Sequence, residues 1–461
     1  MAFKSIVLTS SLLLLVSITF YAIKFLHYSE VQKLENVYWG PGEPKQDDPE
    51  VRPFRIDLKE NVLKDIHHRL NLSRPQIPPL EDTETQYGYS GKIMEEVMDF
   101  LKTEYNFKEQ QKFLNTFPQF VTEVQGLKIH FLHVKPNVTD DVEVFPILML
   151  HGWPSSVREY YGMIPEMVNP ADGRKFVFEI VAPSLPGFGY SDAPSKKDCQ
   201  GPEMALIFKN LMEKLGHRKF YVHGSDWGAV IGTHLSTLYP HQVIGFHSNF
   251  CISLANKSIF KILVGMVFPS LIFPEEFQHK WYPPMDTLRF FFSEAAYLLL
   301  QATKPDTIGV SLDQSLQGLI AFMFDKMSVG TDKDFVRFKD GGLPLKYNYT
   351  ILFDNLIFYY WVPQKATTAA RLYSQNLNYK IFQRGFYNNP VDKSVPCGCT
   401  VFAKEFLYFP EEVLRDTYRN LIHFTTHKDG GHFAGLEMPD VLVKDLLSFV
   451  EKTLPKTRRY F

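Results

Sequence analysis

Residues 220–228 read FYVHGSDWG, and they combine a short apolar run with a tight, glycine-rich turn. A short apolar run such as Phe220 to His223 is typical of a buried parallel strand. The turn places glycines two residues before and two residues after Asp226, which is the G-x-S-x-G spacing of a nucleophile elbow with Asp in place of Ser. An apolar helical stretch follows. This order predicts an α/β fold in which the Asp226 side chain stands above the sheet.

Other apolar runs outside this turn extend the same pattern. Strands that alternate with helices indicate an α/β fold with a parallel sheet. Two strand-like runs, one on each side of Gly126, predict a β-hairpin instead. Residues from about 255 to 390 are rich in Phe, Tyr, Leu and Met at helical spacing, for example from Leu288 to Gln301, as in a helical insertion. The predicted strands are 120–124 and 127–134 of the hairpin, then Ile147 to Leu150, Phe176 to Ala182, Thr400 to Phe402 and Leu421 to Phe424.

Asp226 is the candidate nucleophile. A carboxylate is ionised at neutral pH, so it needs no base before it attacks a carbon electrophile and forms an ester. The helix that follows the turn presents its positive end to this side chain. The alternative interpretation is an Asp that caps a helix in a glycine-rich turn. The strand before the turn and the apolar helix after it favour the nucleophile.

Hydrolysis of an ester on Asp226 requires a general base, and histidine is the usual choice. His432 lies in the sequence Gly430-Gly431-His432-Phe433, in a loop after the late predicted strand. A carboxylate is expected to orient its ring. Glu405 follows the strand that ends at Phe402 and is the first candidate, with Asp416 and Asp429 as alternatives. A simple surface-loop histidine is the competing interpretation of His432.

Ester hydrolysis also builds an oxyanion that needs hydrogen-bond donors. The backbone N–H of Trp227, directly after the nucleophile, is one candidate. The segment His151-Gly152-Trp153-Pro154 follows the strand that ends at Leu150, and the Trp153 N–H is the second candidate. An ordinary turn that ends in proline is the alternative for this segment.

The composition excludes several classes of protein. The chain has 461 residues, with 49 Lys plus Arg against 51 Asp plus Glu, so its net charge of -2 argues against a nucleic-acid partner. Four cysteines exclude a disulfide scaffold. Cys397 and Cys399 form a C-x-C pair with no second pair at zinc-finger spacing, so no structural zinc is expected. The chemistry outlined above requires no metal and no organic cofactor.

The N-terminus contains 19 residues without charge, Ser5 to Ile23, which is just long enough to cross a bilayer as a helix. A cleaved signal peptide is the alternative, but bulky residues follow the run where small ones are expected. The slight basic excess after the run, from Lys24 and Lys33 against Lys4, favours a cytosolic body. The sequons at Asn71, Asn137, Asn256 and Asn348 would be modified only in a lumen.

Together these motifs resemble the epoxide hydrolases of the α/β-hydrolase superfamily. The chain is similar to the membrane-bound microsomal type and, more closely, to the insect juvenile hormone epoxide hydrolases, over nearly its whole length. The resemblance implies that Tyr297 and Tyr373 donate hydrogen bonds to the epoxide oxygen and that Glu405 is the acid. It implies a lipophilic epoxide as substrate, bound by the two tyrosines with Trp153 and Trp227. It also implies a body that faces the cytosol from the endoplasmic reticulum membrane.

The expected architecture is an α/β-hydrolase fold with a mostly parallel sheet, a helical lid, an N-terminal meander domain and an N-terminal transmembrane helix. Two other functions stay open: a haloalkane dehalogenase, which would use the same Asp ester, and a non-catalytic membrane-bound carrier with this fold. The expected boundaries are an anchor at 1–27, a meander domain at 28–140, the hydrolase core at 141–254 and 395–461, and the lid at 255–394.

Overall fold

The computed structural model describes residues 27–28, 30–72, 75–89, 91–170 and 173–457. All but the last residue of the expected anchor, 1–27, lies outside these ranges. No helix within the described ranges combines the length and the apolar character that a membrane crossing requires.

The described residues form a nine-stranded sheet in the order β1-β2-β3-β5-β4-β6-β7-β8-β9. Strands β1 to β3 are antiparallel, as is the pair β3 and β5, and every pair from β5 to β9 is parallel. The prediction of an α/β fold with a mostly parallel sheet is confirmed. The strands are β1 Arg52–Phe54, β2 Gln119–Val124, β3 Leu127–Val134, β4 Glu143–Leu150, β5 Phe176–Pro183, β6 Phe220–Gly224, β7 Val243–Ser248, β8 Cys397–Phe402 and β9 Leu421–His427.

Helices pack against this sheet, including its central strands β4 and β6. The α-helices are α1 Glu60–Asn71, α2 Gly91–Thr103, α3 Phe107–Leu114, α4 Ile164–Val168, α5 Gly201–Lys214, α6 Asp226–Leu238, α7 Asn256–Val267, α8 Pro269–Ile272, α9 Pro284–Glu294, α10 Ala296–Thr303, α11 Pro305–Gln314, α12 Leu316–Thr331, α13 Tyr349–Leu356, α14 Ala366–Asn376, α15 Tyr379–Gln383, α16 Glu411–Leu414, α17 Ala434–Glu437 and α18 Pro439–Thr457. Short 3₁₀ turns and a π-helical turn at Ile357–Trp361 connect some of them. The helical content of residues 255–394 agrees with the insertion expected there.

Three local features differ from the pattern read in the sequence. The apolar stretch from Leu288 to Gln301 is two helices that meet at Ala295, rather than one. Strand β7 was not predicted, although all six of its residues are buried. The predicted hairpin, β2 and β3, joins the central sheet through β5, so the expected domain boundary at residue 140 falls within one continuous sheet.

A disulfide connects Cys251, just after β7, to Cys399 on β8. The cysteine count excluded a scaffold of several disulfides, but it gave no sign of this single bond. The two partners are 148 residues apart in sequence. Pairing of β7 with β8 brings them together. The carboxyl ends of the parallel strands meet at one edge of the sheet, and helices of the lid lie over it. Ligands bind at this edge in open α/β sheets.

Candidate active site

The turn after β6 holds Asp226 in a left-handed backbone conformation, with φ of 46°. Its neighbours must be small because the turn is tight. A Cβ atom on Gly228 would overlap the carbonyl oxygen of Leu150, and one on Gly224 would overlap the carbonyl oxygen of Gly228. Asp226 is also the first residue of α6, so its carboxylate stands at the positive end of this helix. The strand, turn and helix therefore have the arrangement that the sequence predicted.

The Asp226 carboxylate lies against the loop after β4. The Trp153 N–H donates to Asp226 Oδ1 at 2.7 Å. A Cβ atom on Gly152 would lie 2.6 Å from Asp226 Cγ, so only glycine lets the loop come this close. Of the two predicted oxyanion donors, Trp153 makes this bond, whereas the described contacts include none from the Trp227 N–H to the carboxylate.

His432 lies between Asp226 and Glu405. Its Nε2 is 3.3 Å from Asp226 Oδ2, and its Nδ1 is 2.8 Å from Glu405 Oε2. Both His432 and Glu405 are 4% exposed. The alternative acids lie elsewhere: Asp416 pairs with Lys261 at 2.9 Å, and Asp429 pairs with Lys346 at 2.6 Å. The structure thus brings together the first candidate acid, the candidate base and the candidate nucleophile.

Opposing effects set the protonation of His432. Burial acts to lower its pKa, but the Glu405 charge and the hydrogen bond with Asp226 together raise the pKa well above its usual value. In the resting site the ring is therefore an imidazolium between two carboxylates. If Asp226 became an ester, one of these negative charges would disappear, and His432 would release its proton more readily.

Two lid tyrosines stand opposite the nucleophile. Tyr297 on α10 stacks on the Trp153 ring, with centroids 5.2 Å apart. Tyr373 on α14 packs edge-on against Trp153 and Trp227, with centroids 5.8 and 5.1 Å away. Burial, followed by the charge of Asp226, raises the pKa of Tyr297, and burial followed by Tyr297 raises that of Tyr373. Both phenols keep their protons at neutral pH and can donate hydrogen bonds.

A cleft of about 550 Å³, including its open mouth, lies above these residues. Its lining is mainly apolar, and it reaches His432 at its base. The side chains that form it come from the loop after β4, from lid helices and from the base loop, including Trp153, Phe290, Phe291, Tyr297, Leu298, Val329, Phe406 and Phe433. This shape and lining suit an apolar ligand with one reactive polar group.

Sequence reasoning missed two carboxyl groups beside the site. Glu437 on α17 accepts from the N–H groups on both sides of His432, at 2.7 Å from Gly431 and 2.9 Å from Phe433. Glu159 is fully enclosed, and burial raises its pKa to about 7. Neither residue stands in a recognisable motif, because the contacts of both depend on how distant segments pack and how the loop closes.

Comparison with known proteins agrees with this site. A family model described as epoxide hydrolase N terminus matches residues 51–160, and one described as alpha/beta hydrolase fold matches residues 146–249. The chain is 39% identical over 441 residues to the juvenile hormone epoxide hydrolase of Bombyx mori, and the match covers 95% of each chain. The chain belongs to the epoxide hydrolase family. The predicted family resemblance is confirmed.

Other epoxide hydrolases show the same relationship. Epoxide hydrolase 1 of Oryctolagus cuniculus is 35% identical over 90% of this chain and 92% of its own length. The crystal structure of the silkworm juvenile hormone epoxide hydrolase superimposes with a TM-score of 0.88, covering 92% of this chain and 99% of that one. The α/β-hydrolase fold predicted from the sequence is therefore confirmed.

This epoxide hydrolase also contains two clusters with the composition of a cation site, both outside the cleft. Their carboxylates already accept hydrogen bonds: Asp445 is 2.9 Å from His423 Nε2, and Glu179 is 2.6 Å from His133 Nε2. The clusters are His247, His423 and Asp445, and His133, Glu179 and His217.

Proposed function

We propose that this epoxide hydrolase opens lipophilic epoxides to vicinal diols through a covalent ester on Asp226. The observation that carries the proposal is the Asp226 carboxylate bonded to His432 on one side, with the rings of two lid tyrosines packed on Trp153 and Trp227 beside it. Trp153 holds Asp226 Oδ1, which leaves Oδ2 as the oxygen that attacks an epoxide carbon. As the carbon–oxygen bond breaks, the epoxide oxygen takes a proton from Tyr297 or Tyr373.

The second step hydrolyses the ester. Esterification removes the Asp226 charge, so His432 first releases its extra proton to solvent. The neutral ring then removes a proton from water, and the resulting hydroxide attacks Cγ of Asp226. Glu405 stabilises the imidazolium through its bond to Nδ1, and the Trp153 N–H stabilises the oxyanion. Collapse expels the diol alkoxide, which takes the proton from His432. One water oxygen stays on Asp226, and the remaining water proton restores the phenol. His432 regains its resting proton from solvent once Asp226 is again a carboxylate.

Labelled water tests this scheme. After one turnover in oxygen-18 water, mass spectrometry should find the label in the peptide that contains Asp226. Asp226→Ala should abolish ester formation, and His432→Gln should accumulate the ester without completing turnover. Diol formation with no label in that peptide would contradict a covalent mechanism.

A haloalkane dehalogenase would use the same ester, but it needs N–H donors for a halide and no paired phenols. The ring centroids of Tyr297 and Tyr373 lie 6.0 Å apart. This pair of phenols near Asp226 favours an epoxide as the substrate. Tyr297→Phe should slow alkylation and leave partial activity, because Tyr373 remains. Release of halide from a matched haloalkane, without diol from an epoxide, would support the dehalogenase. A carrier would return the epoxide unopened.

The relatives named above include juvenile hormone epoxide hydrolases of insects and epoxide hydrolase 1 of a mammal. We propose that juvenile hormone and foreign apolar epoxides are both candidate substrates, since the cleft is largely apolar. Comparison of kcat/KM for a juvenile hormone and for a simple aryl epoxide would rank them. A preference for small hydrophilic epoxides would contradict the proposal.

We also propose that residues 5–23 anchor the enzyme in the endoplasmic reticulum membrane with a cytosolic body. The lysine excess after this run supports that orientation. The Cys251–Cys399 disulfide favours the opposite side, because such bonds persist mainly in oxidising compartments. Glycosylation decides between them: a glycan on Asn137, which lies on an exposed loop, would place the body in the lumen. Protease digestion of intact microsomes should remove a cytosolic body.

A further inference from the structure

The lid exposes an unusual concentration of apolar side chains. Among the described residues, 27 large apolar side chains are exposed, and fourteen of them lie between Ile259 and Val310. This segment is about one-ninth of the chain. Soluble monomers rarely expose large contiguous apolar surfaces, and such surfaces mark contacts with proteins or membranes. We call these fourteen side chains the lid apolar face.

Helical spacing places these side chains on common sides of successive helices. On α7 the exposed residues include Leu263 and Val267, one turn apart, and on α9 they include Met285 and Phe292, two turns apart. Helix α7 packs on α8, and α9 packs on α10. Stacking of Phe273 on Trp281 connects the first pair of helices to the second. The lid apolar face therefore extends over consecutive packed elements.

This face adjoins the mouth of the cleft. Phe291 lines the cleft and is also 38% exposed on the lid apolar face. Leu298 lines the cleft, and the next residue, Leu299, is 64% exposed. The face therefore leads into a cleft whose lining is mainly apolar and includes only Glu294 and Lys326 as charged residues besides His432.

The first described residue of the chain, His27, lies beside the same helices. The carbonyl of His27 accepts from Asn388 Nδ2 at 2.7 Å, and Asn388 Oδ1 accepts from the first N–H of α7, on Asn256, at 3.0 Å. The uncharged run Ser5 to Ile23 ends only four residues before His27. Lys257 is half exposed near this junction, where a basic group is attracted to anionic lipid.

We propose that the lid apolar face is a membrane-contact surface that lies in the acyl region of a bilayer, with the mouth of the cleft towards the lipid. A bilayer is the favoured occupant, because His27, four residues after the uncharged run, is bonded through Asn388 to the start of α7, which carries part of the face. An apolar substrate dissolved in lipid then reaches Asp226 directly from the membrane. This goes beyond the proposed N-terminal anchor, since it assigns a second contact within the folded body.

The full chain in lipid vesicles provides the test. A fluorophore is attached at Phe292→Cys or, as a matched control, at Tyr87→Cys, since these side chains are 85% and 80% exposed. The free cysteines Cys199 and Cys397 are buried and stay unlabelled. Vesicles of phosphatidylcholine and phosphatidylserine carry brominated acyl chains. Any N-terminal anchor tethers both variants equally, so a difference between them reports the face itself.

We expect the acyl bromines to quench the label at position 292 and not the label at position 87. Equal access of aqueous iodide to both labels would overturn the proposal. Shielding of position 292 from iodide without quenching by bromine would overturn it too, because protein, either a second copy or residues 1–26, would then cover the face. None of these outcomes depends on catalysis, so they stay separate from a failure of the proposed function.

Kinetics give a second readout, which rests on the proposed function. Phe292→Ser should raise the KM for an epoxide dissolved in vesicles roughly tenfold, the factor by which one large apolar side chain alters partitioning into lipid. The KM for a short, water-soluble epoxide should not change, and Tyr87→Ser should change neither. An equal rise for both substrates would show that Phe292 acts on the shape of the cleft, which would contradict a membrane contact.

Discussion

Replacement of Glu405 by glutamine separates the two chemical steps. The change removes a negative charge 2.8 Å from His432 Nδ1 and keeps the size and a hydrogen-bond acceptor of the side chain. In the proposed hydrolysis step the neutral His432 becomes an imidazolium, so the lost charge should matter most in that step. Ester formation at Asp226 precedes it and uses the phenols instead. We therefore expect the ester to accumulate in Glu405→Gln.

The structure sets the size of this effect. Both partners are about 95% buried, so solvent screens the pair weakly. Two unit charges 4 Å apart at an effective dielectric of about 20 interact by about 4 kcal/mol, and relaxation of the site reduces this to about 2 to 4 kcal/mol. Hydrolysis should then slow roughly 30- to 1000-fold. Ester formation should stay within about threefold of the wild-type rate, a difference of under about 1 kcal/mol.

Rapid mixing with excess enzyme measures both rates. The rings of Trp153 and Trp227 pack around the site, so their fluorescence should report formation and decay of the ester. Mass spectrometry of acid-quenched samples counts the modified Asp226. Glu412→Gln, which removes an exposed carboxylate nearby, serves as the matched control. Equal slowing of both steps in Glu405→Gln, or loss of turnover without accumulation of the ester, would refute the assignment of Glu405 to the hydrolysis step.

Three further predictions follow from the geometry. Gly152→Ala introduces a methyl group that overlaps the Asp226 carboxylate, so ester formation should fall roughly 100-fold in single-turnover assays, and an unchanged rate would contradict the close approach. Glu437→Gln replaces one carboxylate acceptor beside His432 with an N–H donor, so hydrolysis should slow roughly tenfold while ester formation persists, as burst kinetics would show. The buried Glu159 has its pKa raised from 4.5 to about 7, so the folded state binds more protons than the unfolded state in that window and stability falls as pH rises. Glu159→Gln should remove roughly 2 kcal/mol of this loss between pH 5 and pH 7.5, and urea unfolding with equal pH slopes for both proteins would contradict it.

Local patterns predicted much of the core. The strand signals before Asp226 and before Trp153 depend on short apolar runs, and the glycines of the elbow are dictated by contacts within a few residues. By contrast, β7 was not recognised. Its glycine, histidine and serine interrupt the apolar run that normally marks a strand buried on both faces. The break at Ala295 was also missed, because both of the helices it separates are apolar.

The candidate site was harder to derive than the fold. Asp226 and His432 lie in glycine-rich turns that the sequence displays directly. Tyr297 and Tyr373 are two of 23 tyrosines, and only the family resemblance singled them out. Glu437 had no recognisable motif, since its role depends on the two N–H groups to which it is bonded.

The amino-acid sequence alone determined the alternation of strands and helices, the elbow at Asp226 and the chemistry its carboxylate can perform. These features depend on near neighbours along the chain, where periodicity and the steric demands of a turn act directly. Tertiary structure decided which acid pairs with His432, which cysteines bond and where the lid exposes apolar surface. Each of these depends on groups more than twenty residues apart, whose distance is set by how strands pair and helices pack and is not encoded in local spacing.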